Sequence, residues 1–341
     1  MSIQNYYKAS LTEIIRYLCA VTTGNLPGRR YFIEQGLGLE RRQKEYGAFW
    51  QPYLSFADKQ QEAFLRGEKF DALTVLGAGR LYDLNLERLS RHFRNIELVD
   101  ADGLCVPAWK RAVKRLAANE INYLFTVKEI TGLFPAWTAA IKTIIKSHKL
   151  CARTKDAEFE KLIKSLEEHF TPFAESVKAG ETTHLGHLLH DPEYRQSSRV
   201  VFSQNILSQI GTFWFSILLR ELERATSHDF LTKNESRLEK LNILTNRILY
   251  TKHFADLNAT AADRIFITTD LEISHYWPDA NDSATSDVFE EPITTLFAKH
   301  LPNYKTESSD STLWHVKPAQ SEGKDYEIIH RVGFFSLRKI A

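Results

Sequence analysis

The sequence predicts an α/β fold with a doubly wound, mostly parallel sheet of seven strands that closes with a C-terminal antiparallel hairpin. Three observations support this fold class. Short apolar runs alternate with longer stretches of helical periodicity, a pattern typical of βαβ units. The first apolar run stops at a glycine turn, at residues 77–79. Two further runs near the end of the chain lie close enough in sequence to pair as a hairpin.

Each predicted strand is a short run of apolar, β-branched or aromatic residues bounded by turn-forming or polar residues. The strands are assigned to residues 72–76, 96–100, 123–127, 199–203, 264–269, 312–317 and 326–336. Helical periodicity predicts crossover helices over residues 84–93 and 108–119. Residues 278–311, which are rich in Pro, Asn, Asp, Ser and Thr, are predicted to form a loop with one short helix.

An N-terminal addition and an insertion are predicted around this sheet. Residues 1–68 carry apolar and aromatic residues at helical spacing, which predicts a helical cap, and residues 69–341 form the sheet domain. The aromatic residues of the cap are expected to pack between cap and sheet rather than to stack on bases. About 70 residues separate the third and fourth strands, more than a crossover needs. Residues 141–195 are therefore predicted to be a helical insertion at the carboxyl ends of the strands, closing the substrate pocket together with the cap.

The composition of the chain argues against several classes of function. The 341 residues carry a net charge of +1, which gives no support for broad binding to a nucleic-acid backbone. Three distant cysteines without a CxxC pair argue against a disulfide framework and against a cysteine zinc site. The start of the chain lacks the pattern of a signal peptide, and the apolar runs are too short to span a bilayer. We therefore expect a soluble, cytoplasmic protein without nucleic-acid or membrane partners, and the oligomeric state stays open.

The strongest chemical signal is the glycine turn together with an acidic residue further on. Gly77 and Gly79 let the backbone turn sharply and approach a ligand closely, and a helix that starts there would offer unpaired N–H groups. Asp100 ends the next predicted strand, 21 positions after Gly79. That spacing suits a carboxylate that holds the two hydroxyls of a ribose. Asp102 is expected to turn away from the ligand. The alternative is a plain tight turn followed by a surface acid.

On these residues the chain resembles class I, Rossmann-like S-adenosylmethionine-dependent methyltransferases, over residues 70–340. The resemblance implies that the glycine turn lines the methionine part of the cofactor, that the acid binds its ribose, and that a polar residue after the third strand contacts adenine. S-adenosylhomocysteine would be the product. The cofactor residues implied here are Gly77, Ala78, Gly79, Asp83, Asp100, Ala101, Glu129 and Ile130. For Glu129, a solvated loop acid is the alternative.

The chain departs from the family pattern at two positions of the turn. Val75 stands where the family has an acid that helps hold the amino group of the cofactor, and Leu81 stands where it has a third glycine. Asp83, expected in the first turn of the next helix, is the candidate replacement for the acid. The loop of this chain has the form LGxGxLxD, which resembles a loop of uncharacterised bacterial methyltransferase-like proteins. Because of this departure, a non-catalytic nucleotide-binding or regulatory protein of the same fold stays an alternative. A nicotinamide-dependent oxidoreductase is disfavoured, because Tyr82 stands at the third glycine position of its G-x-G-x-x-G pattern and would obstruct close packing of helix and strand.

A second polar cluster follows the fourth and fifth strands. In parallel sheets, ligands bind beyond the carboxyl ends of the strands. Ser203 and Gln204 are therefore predicted cofactor contacts, and Asn205 is a catalytic candidate facing the transferred methyl group. The alternative is that these amides cap the next helix. Asp270 is a candidate substrate contact or general base, with a loop or capping acid as the alternative.

The remaining features favour neither a metal nor a defined substrate. His184, His187 and His190 recur at every third position, a spacing that zinc sites can use, but no carboxylate partner accompanies them, so no metal is predicted. His253 is expected to be structural. The chain lacks the Asn/Asp-Pro-Pro-aromatic box of enzymes that methylate amino groups of DNA. The methyl acceptor is expected to be a small molecule or a protein.

Overall fold

The computed structural model of the protein describes residues 29–116, 121–150, 156–178 and 199–340. The chain packs into two compact units. The helical unit consists of Met1–Glu34, Thr131–His184 and Gln209–Ala255. The sheet unit consists of Gln35–Ile130, Leu185–Ser208 and Asp256–Ala341, and it contains every strand described below.

The strands of the sheet unit form one mixed sheet. They are β1 (Phe70–Leu76), β2 (Phe93–Asp100), β3 (Asn122–Val127), β4 (Arg199–Gln204), β5 (Arg264–Trp277), β6 (Asp282–Asp287), β7 (Tyr304–Lys317) and β8 (Glu327–Lys339). The order is β3-β2-β1-β4-β5-β8-β7, and β6 pairs with β5. The first five strands are mutually parallel, whereas β8 runs antiparallel to β5, and β7 antiparallel to β8. The predicted fold class is confirmed, with β6 as an eighth strand that the sequence did not predict.

β5 is longer than predicted, because it continues past the parallel sheet. Residues 264–270 are buried, and residues 271–277 are half-buried and pair only with β6 and β8. The second part has no apolar run, so its strand character comes from antiparallel pairing rather than from burial. The prediction of a loop with one helix at residues 278–311 is also wrong. Antiparallel pairing makes strands of polar residues there, so the segment contains β6 and the first part of β7 besides a helix.

The helices of the sheet unit differ most from the predicted ones in the segment after β1. They are α1 (Arg29–Leu65, whose first residues belong to the helical unit), α2 (Leu86–Leu89), α3 (Val106–Arg115) and, before β7, α9 (Ile293–His300). The predicted helix at 84–93 is wrong, because α2 has four residues and Phe93 already begins β2. The ring centroids of Phe93 and Phe70 lie 5.6 Å apart where β1 and β2 begin to pair, and this contact holds Phe93 in the strand.

Aromatic side chains of α1 pack against the sheet. Tyr53 stacks on Trp314 of β7 with ring centroids 4.8 Å apart, and Trp50 meets Trp314 edge-on at 5.3 Å. Phe64 contacts Phe202 and Phe266 of the central strands. All six rings are buried. Since burying an aromatic side chain stabilises by about 1.5–3 kcal/mol, α1 is part of the core of the sheet unit.

The helical unit has its own aromatic core. Its helices are α4 (Phe134–Ser147), α5 (Asp156–Lys178), most of α6 (Ile206–Ala225), α7 (His228–Lys233) and most of α8 (Glu235–Ala259). Trp137 lies 4.8 Å from Trp214 and 4.6 Å from Phe170, measured between ring centroids. Within the predicted insertion at 141–195, the described residues belong to α4 and α5 or to the turn after α4, and the rest lies outside the described ranges. Its placement at the strand ends stays a prediction. None of the helices in the described residues combines the length and apolar character needed to cross a bilayer.

Candidate active site

The glycine turn directly follows β1, and its backbone donors are already paired. The N–H groups of Gly77 and Ala78 both donate to the carbonyl of Val99, at 2.9 and 3.0 Å. The N–H of Gly79 donates to Oδ2 of Asp100 at 2.8 Å. No helix opens here, because α2 begins only at residue 86. The expectation of unpaired N–H groups at a helix start is therefore wrong, and the donors of the turn hold the end of β2 instead.

The two glycines of the turn serve different purposes. Gly77 has a φ of +71°, and a Cβ there would lie 2.7 Å from the carbonyl oxygen of Gln204 and 2.9 Å from Ile206 Cγ1. Gly79 has a φ of +50°, but a Cβ there would meet only the Gly77 carbonyl oxygen, at 3.9 Å. Gly77 is therefore required by the packing of the turn on β4. Gly79 faces open space, where a ligand can approach the backbone.

Asp100 ends β2 and is held by the backbone around it. Its Oδ1 accepts from the N–H of Asp102 at 2.8 Å, besides the bond from Gly79, and the N–H of Ala101 also bonds to it. Burial raises the pKa of Asp100, while these N–H groups and the Arg80 charge oppose the rise. A carboxylate has about four acceptor positions, so at least one remains for a ligand hydroxyl.

Asp102 follows Asp100 and is engaged by its own surroundings. It is buried, and its carboxylate accepts from the N–H of Leu104 at 2.9 Å, which caps a 3₁₀ turn at residues 103–105. Its Oδ2 lies 3.8 Å from Nη2 of Arg80, a side chain that also pairs with Glu40. Burial and, to a lesser extent, the neighbouring Asp100 raise the pKa of Asp102 to about 6, against the Leu104 hydrogen bond. Asp102 belongs to the structure that supports Asp100.

The two positions that depart from the family pattern are Leu81 and Val75. Leu81 has a φ of +62°, a left-handed backbone conformation that favours glycine. Such a conformation costs roughly 1–2 kcal/mol for a residue other than glycine. Val75 is completely buried in the core of the sheet. Val75 therefore cannot contribute a polar contact to a ligand.

Asp83 lies in the bend before α2 and not in a first helical turn, which corrects the expected position. Its Oδ2 is 3.5 Å from the hydroxyl of Tyr53, and its carbonyl accepts from Gln61 Nε2 at 2.6 Å. The side chain of Asn205 lies close enough to the Tyr53 hydroxyl to oppose the rise of its pKa. Burial and the Asp83 charge hold the pKa of Tyr53 well above its ordinary value, so this hydroxyl stays protonated. Burial likewise raises the pKa of Asp83.

The end of β4 presents buried amides. Ser203 and Gln204 are buried, and Gln204 Oε1 accepts from Thr268 Oγ1 at 2.9 Å. Asn205 has a φ of +52°, and its N–H donates to the Thr268 carbonyl at 2.8 Å. Among the described residues, neither Nε2 of Gln204 nor Oδ1 of Asn205 has a hydrogen-bond partner. Asn205 Oδ1 therefore does not cap α6. Buried unpaired polar atoms are costly, and they commonly mark the place of a water or a ligand.

Asp270 lies within β5, at the register shift between Asp270 and Glu272, rather than after the strand. It is buried, and its Oδ2 accepts from Ser208 Oγ at 2.9 Å. Its Oδ1 lies 3.1 Å from Nδ1 of His330 on β8. Sequence reasoning did not single out His330 or Ser208, because only the antiparallel register of β5 and β8 brings His330 near Asp270.

Glu129 and Ile130 follow β3, the strand that pairs with β2. Glu129 is buried and Ile130 half-buried in the segment after β3, and that segment begins with the N–H of Lys128 donating to the Asp100 carbonyl at 2.9 Å. In the described residues no group of three or more His, Cys, Asp or Glu could hold a metal ion. His184, His187 and His190 lie outside those residues. His253 is buried, and burial lowers its pKa to about 3.

Comparisons with known proteins return only distant structural similarity. No protein-family model and no curated protein matches the chain. A 1,6-didemethyltoxoflavin-N1-methyltransferase from Burkholderia thailandensis, with S-adenosylhomocysteine bound, is 13% identical with a TM-score of 0.39, covering 98% of this chain and 92% of its own. The magnesium protoporphyrin IX methyltransferase of Synechocystis is 8% identical with a TM-score of 0.33, covering 97% and 95%. An N-methyltransferase from Bradyrhizobium japonicum is 7% identical with a TM-score of 0.33, covering 84% and 87%. Similarities of this size do not assign an activity.

Proposed function

We propose that the chain is an S-adenosylmethionine-dependent methyltransferase whose acceptor is a small molecule or a protein. The observation that carries the proposal is the position of Asp100. This carboxylate ends the second strand of the sheet, and the N–H of Gly79 fixes it beside the open space over that glycine. An acid at this point of a Rossmann-like sheet binds the ribose hydroxyls of a nucleoside ligand.

The residues present fit the cofactor. Gly79 leaves space for it, Asp100 would bind its ribose, and Glu129 lies in the segment beside Asp100 where adenine would bind. The unpaired buried atoms of Gln204 and Asn205 would face its other end. When bound, the cofactor supplies a sulfonium methyl group that is already activated. The protein then has to align the acceptor and exclude water, which requires no nucleophilic side chain.

A second candidate is a nucleotide-binding protein of this fold without transferase activity. The buried Val75 favours it, because the acid that helps hold the amino group of the cofactor is missing. Asp83 remains the proposed substitute, although its carboxylate contacts Tyr53. Both candidates require the ligand site at Asp100, and they differ in whether a methyl group is transferred.

Calorimetric titration with S-adenosylhomocysteine tests the ligand site. Asp100→Asn keeps the shape of the side chain but removes its charge. Hydrogen bonds to a charged group contribute about 1.5–3 kcal/mol, so affinity should fall about 10- to 150-fold. Asp71→Asn is the matched control, because this half-exposed acid lies at the opposite end of β1. It should leave the affinity unchanged. If the unsubstituted protein does not bind at millimolar ligand, the methyltransferase candidate fails and the non-catalytic protein becomes the better account.

The absence of nucleic-acid and membrane partners and a cytoplasmic location remain predictions from composition. A near-neutral net charge supports the absence of nucleic-acid partners. Fractionation of cells that produce the protein would test the location directly.

A further inference from the structure

Asp270 is a buried carboxylate with one oxygen fixed and one oxygen directed at a histidine. Ser208 fixes it from both sides: its Oγ donates to Oδ2 of Asp270 at 2.9 Å and accepts from the N–H of the same residue at 3.2 Å. The other oxygen, Oδ1, lies 3.1 Å from Nδ1 of His330. The two atoms are within ion-pair distance but off the direction of a hydrogen bond, a misalignment that is common at catalytic contacts in free enzymes.

The His330 ring has one buried and one open side. Nδ1 is buried against Asp270, yet the side chain as a whole is 18% exposed. This leaves Nε2 as the nitrogen that a bound molecule can reach. The edge of Trp314 supports the ring, with centroids 5.8 Å apart, so the imidazole is held in place by contacts on two sides.

The pair lies next to the predicted position of the transferred methyl group. Ser208 Oγ lies 3.3 Å from the Asn205 carbonyl oxygen and 2.9 Å from Asp270 Oδ2. Trp314, which packs against His330, stacks on Tyr53. The Asp270 charge is close enough to Tyr53 to help raise the pKa of its hydroxyl. Asn205 and the Asp270–His330 pair are thus joined by direct contacts within the sheet unit.

We infer that Asp270 and His330 form a carboxylate–imidazole pair whose Nε2 accepts a proton from the methyl acceptor, so that the acceptor is a hydroxyl or an N–H amine. This inference rests on the proposed methyltransferase function. Asp270 keeps the proton of the neutral imidazole on Nδ1, which leaves the Nε2 lone pair free, and it stabilises the imidazolium that forms. Asp270 is a positioning residue, and His330 is the catalytic residue.

The step is balanced in atoms and charge. The O–H or N–H bond of the acceptor breaks, and its proton goes to Nε2 of His330. The lone pair of the acceptor oxygen or nitrogen forms a bond to the methyl carbon, and the carbon–sulfur bond breaks with its electrons going to sulfur. The products are the methylated acceptor, S-adenosylhomocysteine and a protonated His330, which then loses its proton to water.

The chain offers a matched control pair for the test. Nδ1 of His315 on β7 contacts Glu327 on β8, and this histidine side chain is 42% exposed. It is a histidine–carboxylate pair in the same antiparallel part of the sheet, but it has no contact with Asp270 among the described interactions. His330→Asn and His315→Asn each keep an amide N–H near the position of Nδ1 and remove Nε2.

The first measurement needs no acceptor. Diethyl pyrocarbonate modifies neutral imidazole nitrogens, and mass spectrometry locates the modified residue. With saturating S-adenosylhomocysteine, His330 should be modified, and Asp270→Asn should slow its modification at least fivefold while leaving that of His315 unchanged. An unreactive His330, or equal rates in both proteins, would overturn the pair. Failure of S-adenosylhomocysteine to bind would instead overturn the proposed function.

The second measurement uses labelled S-adenosylmethionine with catechol, phenol, benzylamine and aniline as protic acceptors, and pyridine and dimethyl sulfide as acceptors without a proton to lose. A protic acceptor should be methylated, with a loss of about 100-fold or more in His330→Asn and none in His315→Asn. Affinity for S-adenosylhomocysteine should not change. Undiminished transfer in His330→Asn, transfer to the proton-free acceptors alone, or transfer to no acceptor while the ligand binds would contradict the inference.

Discussion

Asp100 and Asp270 are enclosed carboxylates on two strands of the same sheet, but they are held in different ways. Asp100 accepts backbone N–H groups from the glycine turn and from the residues that follow it. Asp270 is held by the hydroxyl of Ser208, and its other oxygen lies 3.1 Å from the imidazole of His330 without a hydrogen bond. Backbone donors fix an anion without taking part in proton transfer. Side-chain donors can exchange protons, so the difference suits Asp100 to binding and Asp270 to chemistry.

The two environments also differ in how they depend on the chain. The support of Asp100 comes from two stretches of sequence, the glycine turn and the end of β2. The support of Asp270 comes from three separate elements: β5, the start of α6 and β8. Substitutions in the glycine turn should therefore affect folding and ligand binding together. Substitutions around Asp270 should affect stability and transfer while leaving the cofactor affinity intact.

The largest expected effect is at Gly77. Gly77→Ala places a Cβ 2.7 Å from a backbone carbonyl oxygen in a left-handed backbone conformation. Backbone strain of roughly 1–2 kcal/mol and overpacking of about 1–3 kcal/mol should together lower the free energy of unfolding by about 2–5 kcal/mol. Urea unfolding measures the loss. Gly79→Ala is the control, because it should lose only the strain while weakening S-adenosylhomocysteine binding. Equal destabilisation by both would contradict the distinction between the two glycines.

A pH-dependent effect is expected at Asp102. Its folded-state pKa is raised to about 6, above the ordinary value of 3.8. The folded state then binds more protons than the unfolded state between pH 4 and 6, so this group makes the protein less stable as pH rises through that window. The loss is on the order of 2–3 kcal/mol. Asp102→Asn should therefore reduce the fall in unfolding free energy between pH 4 and 6. A parallel pH dependence of the two proteins would mean that the Asp102 pKa is not raised.

A smaller effect is expected at Ser208. Ser208→Ala removes the hydroxyl that donates to Asp270. A hydrogen bond to a charged group contributes about 1.5–3 kcal/mol, so the unfolding free energy should fall by about 2 kcal/mol. Affinity for S-adenosylhomocysteine should stay the same, since the bond lies on the acceptor side. Thr126→Val removes a comparable hydroxyl, which donates to Glu97 at 2.7 Å, and gives the reference cost. Weakened cofactor binding in Ser208→Ala would place Asp270 in the cofactor site.

The part of the site that follows from local sequence could be predicted. The glycine turn and Asp100 follow from two apolar runs and their spacing, because parallel strands with a short crossover bring their carboxyl ends together. Asp102 could not be placed, since its role as the cap of a 3₁₀ turn depends on backbone geometry that the pattern does not encode. The short α2 was missed because Phe93 pairs with Phe70 instead of continuing a helix.

The acceptor side could not be predicted for a different reason. His330 reaches Asp270 only through the register of an antiparallel pair that shifts at Asp270. A shift of one residue would turn His330 to the other face of the sheet, and no feature of the sequence sets that register. Tyr53 was expected to be a core aromatic, which its stacking on Trp314 bears out, but the contact of its hydroxyl with Asn205 depends on where α1 lies on the sheet.

A crystal structure with S-adenosylhomocysteine would show directly whether Asp100 binds the ribose of the cofactor. The ribose hydroxyls should lie within hydrogen-bond distance, about 2.7–3.2 Å, of the Asp100 carboxylate, with the ligand in contact with Gly79. The sulfur should point toward Asn205 and the Asp270–His330 pair. A ligand bound elsewhere, or a ribose that does not contact Asp100, would contradict the proposed cofactor site.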